Sequence, residues 1–306
     1  MSWNKDNTIL IQATTGLTYE GSKAEGYRVF HPYKGTGILL RVLREICFKI
    51  KFLPKTIWYN KVFVGWSVDY IVVWDVLITI HYLKWLRKQF PLAQINYKYA
   101  NMVGKAKNLN PNTIPEDIRI WTYDKYDSEK YHINLYNSHM YFVSNVKPLK
   151  APEYDVFFIG RDKGRGEWLV ELERRMQELG LRTKFIITAD GALSEKKPFY
   201  QEPISYEEVT EYLSRSRSVL NVVMENQHGI TVRDTEALFF GIKLITTNKY
   251  ITEWEMYNPS NIYVINDAVD LSDLKEFFDK PVVKTDPRLL SQHTLAGMID
   301  EITRIY

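Results

Sequence analysis

The chain has 306 residues, 45% of them apolar and 25% charged, a mixture that excludes a disordered, collagenous or coiled-coil protein and suits two domains of about 150 residues each. Forty basic against thirty-seven acidic side chains leave +3, too small a surplus to argue for nucleic acid. The single cysteine, Cys47, excludes an internal disulfide and a cysteine zinc site, which points to a reducing, cytoplasmic setting.

The opening MSWNKDNTILIQ lacks the basic head, apolar run and small-residue cleavage site of a secretory signal. A β-branched run, Thr8–Ile11, predicts a strand that opens into the Gly-rich loop TTGLTYEGSKAEG. The apolar stretch 62–83 is long enough to span a bilayer but contains Asp69, Asp75 and His81. It reads better as a buried strand, Tyr70–Trp74, followed by a helix over 76–90 that stops before Pro91. Strands follow at 95–99 and 118–123. VKPLKAPEYD, residues 146–155, has two prolines and mixed charge and reads as the linker. The pattern then restarts: strand 156–159, helix 167–179 stopped by Gly180, strand 184–188, helix 206–215, strand 218–223, helix 231–240 stopped by Gly241, strand Lys243–Thr246. Such alternation predicts an α/β chain of two Rossmann-like doubly wound domains, 1–146 and 147–306, facing across a cleft.

Two segments carry candidate chemistry. In FIGRDKGR, residues 158–165, Gly160 and Gly164 let the backbone approach a ligand, and Arg161, Lys163 and Arg165 set three cations beside a helix N-terminus, a fit to a diphosphate. The competing reading is a solvated basic turn. In 225–248, Gly229, Ile230 and Thr231 lead into a helix whose free amides favour phosphate, with Arg233 and Glu236 on one side of it. Glu236 suits a ribose diol, or else it belongs to a surface ion pair with Arg233.

Both segments resemble the nucleotide-sugar half of GT-B glycosyltransferases. FIGRDKGR is similar to their diphosphate-holding loop, and GITVRDTEAL followed by GIKLITTN to their signature helix, whose glutamate binds the donor ribose. GIKLITTN with the later NPSNI, and YDVFFIG with WTYDKYDSEKY, resemble bacterial capsular polysaccharide and lipooligosaccharide biosynthesis glycosyltransferases over roughly residues 55–265. The resemblance implies transfer of a sugar, a hexose, from a nucleoside diphosphate to a lipid-linked or lipooligosaccharide acceptor at the inner face of the membrane, without metal or other cofactor. Retaining members of the commonest type carry two glutamates eight positions apart. Eight before Glu236 stands His228, while Glu225 stands eleven before it. Either residue approaches the donor sugar, or neither does, and retaining versus inverting chemistry stays open. A non-catalytic nucleotide- or glycan-binding subunit of the same fold is the alternative.

No Asp-x-Asp, Walker A loop, GxGxxG or HExxH is present. On the acceptor side, Glu20 and Glu25 follow the first strand and are candidates to deprotonate an acceptor hydroxyl, with Asp124 and Asp127 behind them. Finally, residues 38–53 predict an amphipathic helix. Its arc of Leu39, Val42, Leu43, Ile46, Ile50 and Leu53 opposes Arg41, Arg44, Lys49 and Lys51, with Phe48 and Phe52 among them. From 33 to 58 there are six basic residues and one acidic, net +5, so the rest of the chain sums to −2. Such a helix suits an anionic membrane surface; the competing reading is ordinary packing against a core.

Overall fold

The computed structural model describes the whole chain except residues 1, 14–16, 36, 51, 105–107, 137–140, 192–193, 195, 225–226, 266–270 and 305–306. The chain divides into two compact units, 1–138 with 295–306, and 139–294. The expected division at 146/147 differs for two reasons. The 146–155 segment is built into the second unit: the Lys150 amide donates to the Ser214 carbonyl at 2.8 Å, and the Glu153 amide to Arg215. The last helix returns to the first unit, where the Gln94 side chain bonds the Ile302 carbonyl at 3.3 Å.

The first unit runs β1 (Thr8–Ile11), α1 (Leu17–Ala24), β2 (Arg28–Phe30), α2 (Ile38–Lys49), β3 (Tyr70–Trp74), α3 (Ile80–Gln89), β4 (Gln94–Lys98), β5 (Arg119–Thr122), α4 (Lys125–Tyr131) and β6 (Asn134–Leu135). Its sheet has the order β2-β1-β3-β4-β5-β6, every pair parallel. The order reverses between β1 and β3, and ligands of such sheets bind at the carboxyl ends of the strands flanking that point. β1 and β3 are buried along their whole length, as strands covered by helices on both faces must be. The helix expected from residue 76 begins at Ile80 instead, capped by Thr79, because Leu77 turns the chain at φ +68°.

The second unit runs β7 (Val156–Arg161), α5 (Gly166–Glu178), β8 (Thr183–Thr188), α6 (Tyr206–Ser214), β9 (Ser218–Asn221), α7 (Val232–Phe240), β10 (Lys243–Thr246), β11 (Ile262–Val264), α8 (Leu274–Asp279) and α9 (Pro287–Gln292); α10 (Leu295–Thr303) belongs to the first unit. Its five-stranded parallel sheet has the order β11-β10-β9-β7-β8, reversing between β7 and β9. Alternation decides its two cores. Phe157, Ile186, Val219 and Leu244 pack on one face, Val156, Phe158, Leu220 and Ile245 on the other.

Candidate functional site

The second unit's switch point is built by the loop that leaves β7. Lys163 and Gly164 take positive φ, +49° and +79°, and the Lys163 amide donates to the Asp190 carboxylate at 2.9 Å. The turn brings the Arg165 guanidinium across to the Val222 carbonyl just past β9. A Cβ on Gly160 would stand 3.0 Å from the Phe158 ring, a tight approach, and in ordinary contact with the guanidinium at 3.5 Å. Burial lowers the pKa of both Lys163 and Arg165, and for Lys163 the nearby Arg165 and Arg161 add to the shift. Arg161 is exposed. Three cations thus gather at one strand end, with the Asp162 and Asp190 carboxylates beside Arg165, and Asp190 beside Lys163, offsetting part of their mutual repulsion.

The amides of α5 are a different matter. Asp162, 3% exposed, accepts from the Gly166 amide and from the Tyr200 hydroxyl, both at 2.6 Å, and pairs with Lys197 at 3.2 Å. The Tyr200 bond leads in holding its carboxyl down at about 2. Gly166 itself is closed in: a Cβ would lie 2.6 Å from the Phe199 ring. The first amide of α5 therefore already has its anion in Asp162.

The start of α7 repeats this economy. Thr231 caps it, accepting from the Arg233 amide, and Asp234 closes a capping box on the Thr231 amide at 2.6 Å while Asn221 donates to its other oxygen at 2.8 Å. Burial pushes Asp234 up to about 6. Glu236 has no exposed surface. Its Oε1 lies 2.9 Å from the Tyr206 hydroxyl, and Oε2 pairs with Arg233. Tyr206 also lies 2.9 Å from the Tyr141 hydroxyl; with one proton it donates to the carboxylate and accepts from Tyr141. The Arg233–Glu236 pair is thus an interior one. Ile230 is a core residue and Gly229 is buried. The His228 ring stacks on Tyr250, centroids 3.5 Å apart, and the His228 carbonyl accepts from the Trp254 indole at 3.2 Å. Glu225 lies outside the described residues.

In the first unit the expected acceptor carboxylates are dispersed. Glu20 is exposed in the first turn of α1, and Glu25 follows the far end of that helix, where its carbonyl meets the Lys5 side chain ahead of β1. Eight residues of helix, about 12 Å, carry Glu25 from the carboxyl edge to the amino edge of the sheet. Asp124 caps α4 through the Asp127 amide at 3.2 Å, and Asp127 accepts from the Val103 amide at 2.7 Å.

What sequence reasoning missed is the pair Asp75 and Lys98. Trp74 and Lys98 are register partners at the ends of β3 and β4, and Asp75 follows at the switch point, 1% exposed. Its Oδ2 accepts from the Asn108 side chain at 3.1 Å, while Oδ1 is buried without a hydrogen-bond partner. The Ala100 and Asn101 amides oppose the upward shift that burial gives Asp75, but neither meets Oδ1 in hydrogen-bonding geometry. Lys98, 4% exposed, accepts from the Asp75 amide through its carbonyl at 3.0 Å, but its ammonium makes no hydrogen bond or ion pair among the described residues; Nζ stands 4.6 Å from the centre of the Tyr136 ring and 5.4 Å from that of Trp74. Burial lowers it to about 8. Two residues on, Leu77 holds its left-handed turn with its carbonyl bonded by the Tyr33 hydroxyl at 2.8 Å, a strained backbone of the kind that gathers at functional sites. The available signal was charge at the end of an otherwise apolar strand: VVWD, then INYK. No group of three or more His, Cys, Asp or Glu suited to a metal occurs among the described residues.

No family model and no curated protein matches the chain in sequence. Solved structures do match in shape. Sucrose-phosphate synthase from Thermosynechococcus elongatus aligns at TM-score 0.52 and 11% identity, over 96% of this chain and 92% of its own. A Listeria monocytogenes protein assigned as a UDP-N-acetylglucosamine 2-epimerase aligns at 0.51 and 11%, over 95% and 94%. A DNA-modifying β-glucosyltransferase, solved with and without uridine diphosphoglucose, aligns at 0.49 and 15%, over 94% and 93%. At such identities the likeness bears on the fold alone: the chain is an α/β protein of two doubly wound, parallel-sheet units, built like those of GT-B enzymes.

Proposed function

We propose that this protein is a glycosyltransferase that moves a sugar, a hexose, from a nucleoside diphosphate donor held in the second unit to a surface-glycan acceptor, lipid-linked or lipooligosaccharide, held in the first. The observation that carries it is the crowding of Arg161, Lys163 and Arg165 at the β7–β9 switch point. Charge that builds on the departing diphosphate is offset there by Arg161 and Lys163, with Arg165 fixed by Val222, so that transfer needs no metal. Glu236, held by Arg233 and Tyr206, orients the nucleoside. At the acceptor end, Asp75 Oδ1 and Lys98 Nζ offer one acceptor and one donor to a sugar hydroxyl, which is both. The setting is the cytoplasm, at the inner face of the membrane. The like-folded epimerase is named for a UDP-sugar, which is compatible with such a donor, but fold does not choose a reaction.

Calorimetric titration with UDP, GDP, CMP and dTDP and their sugars, followed by donor turnover in the presence of EDTA, tests the reading. One nucleoside diphosphate should bind well and its sugar should turn over in chelator. Absence of binding by all four sinks it. Tight binding without hydrolysis or transfer on any acceptor would mark the protein as the non-catalytic subunit, a reading that the full burial of Glu236 keeps open.

A further inference from the structure

Helix α2 is turned with its apolar side chains outward. Ile38, Leu39, Leu40, Val42, Leu43 and Ile46 are all exposed, Ile38 by 80% and Leu39 by 72%. The inward face is made by Arg44, Cys47 and Phe48: the Arg44 guanidinium lies 4.5 Å from the centre of the Tyr33 ring, and Phe48 meets that ring edge-on at 5.4 Å. The sequence had set Arg44 among the solvent-facing cations; stacking on Tyr33 buries it. A helix of a globular protein ordinarily does the reverse. Of the twenty-one exposed large apolar side chains among the described residues, eleven fall between 38 and 66.

We propose that α2 lies flat on an anionic lipid surface, with these side chains set into the headgroup boundary. Charge selects the occupant. Residues 33–66 contain seven basic side chains and one acidic, Glu45, and of the basic ones Lys34, Arg41, Lys49 and Lys61 are exposed. A second copy docked on the same face would bring two such basic stretches together, whereas anionic headgroups contribute about 1 kcal/mol per cation. Phe52, 86% exposed just past the helix, adds an aromatic side chain of the kind found at such boundaries. No helix among the described residues is long and apolar enough to cross a membrane. The twelve residues of α2, about 18 Å, fit a surface-lying segment.

Co-sedimentation of the full chain with phosphatidylcholine vesicles, with and without phosphatidylglycerol, tests this. Binding should require the anionic lipid and fall as salt rises, since exposed charges are screened over about 8 Å at physiological ionic strength. The triple variant Ile38→Ser, Leu39→Ser, Ile46→Ser should lose at least tenfold in vesicle binding with Tm and nucleotide binding unchanged. Arg41→Gln with Lys49→Gln should lose the preference for anionic lipid. No vesicle binding, binding indifferent to the triple variant or to lipid charge, or a triple variant that melts several degrees lower would each overturn the proposal. So would self-association in solution that the triple variant abolishes. Nucleotide titration of the same samples keeps this outcome separate from that of the transferase reading.

Discussion

The guanidinium of Arg165 donates to the carbonyl oxygen of Val222, joining the loop after β7 to the loop after β9 across the point where the strand order of the second sheet reverses. That one bond fixes a positive charge at the reversal of the strand order. Around it, Asp162 accepts from the first amide of α5, and Asp234 from the amide of Thr231, the residue that caps α7. If a diphosphate binds here as proposed, the charges of Arg161 and Lys163 are what should discriminate it from the nucleoside.

Arg161→Ala and Lys163→Ala should each weaken nucleoside diphosphate binding by about 1.5–3 kcal/mol, the contribution of a charge-assisted contact, and leave nucleoside binding nearly unchanged. Parallel titrations of nucleoside and diphosphate measure the difference. Equal losses for both ligands would remove these residues from the phosphate site.

The two aspartates predict opposite acid profiles. Asp162 is held at about 2, below its unfolded value, so its contribution is present above about pH 4 and is lost as pH falls toward 2. Asp234 is raised to about 6, so the folded state holds the extra proton and stability declines as pH rises from about 4 to 6. In melting curves across pH 2–7, Asp162→Asn should flatten the rise below pH 4, and Asp234→Asn should flatten the decline above it. Variants whose pH profiles match the parent would contradict both environments.

The alternation of apolar runs and helical segments was legible throughout, because strands such as YIVVW and KLIT are buried on both faces and say so in composition. Gly241 and Thr231 mark the ends of α7 as their chemistry requires. Three things were illegible. Asp162 and Arg165 look alike as loop charges, yet one occupies a helix end and the other bridges two strands, a difference that arises only when Tyr200 and Val222 arrive from 38 and 57 residues away. Glu25 looked close to the first strand because the helix that carries it to the other edge of the sheet is only eight residues long. The facing of α2 was hidden because periodicity defines two faces and does not say which is inside; the Tyr33 ring under Arg44 decides it.

Lys98→Met and Asp75→Asn separate a working site from a structural one. A buried ammonium without a hydrogen bond is a liability, so Lys98→Met should leave Tm unchanged or higher while transfer falls by a hundredfold or more. The lowered pKa has a further consequence. Lys98 titrates at about 8 in the folded protein and near its ordinary value when unfolded, so stability should rise between pH 8 and 10. Lys243, also lowered to about 8 by burial, shares that window, and Lys98→Met should therefore remove roughly half of the rise. Full activity in both variants, with a lower Tm, would make the pair a structural element and move the acceptor site elsewhere.

Glu236 gives the last test, because its carboxylate is fully buried yet is assigned to the nucleoside. Glu236→Ala would strand Arg233 and Tyr206 and should cost about 3–5 kcal/mol of stability, so it cannot report on binding alone. Glu236→Gln keeps the shape and an acceptor for Tyr206, and Tyr206→Phe keeps the charge while removing a donor, at about 1–3 kcal/mol each. If Glu236 meets the ribose, the Gln variant should weaken nucleoside and nucleoside diphosphate equally, by tenfold or more, while Tyr206→Phe at comparable Tm weakens them much less. If both variants lose binding in proportion to their loss of Tm, the carboxylate serves to hold α7 to α6 through Tyr206, and the ribose partner must be sought elsewhere at the β9 and β10 strand ends.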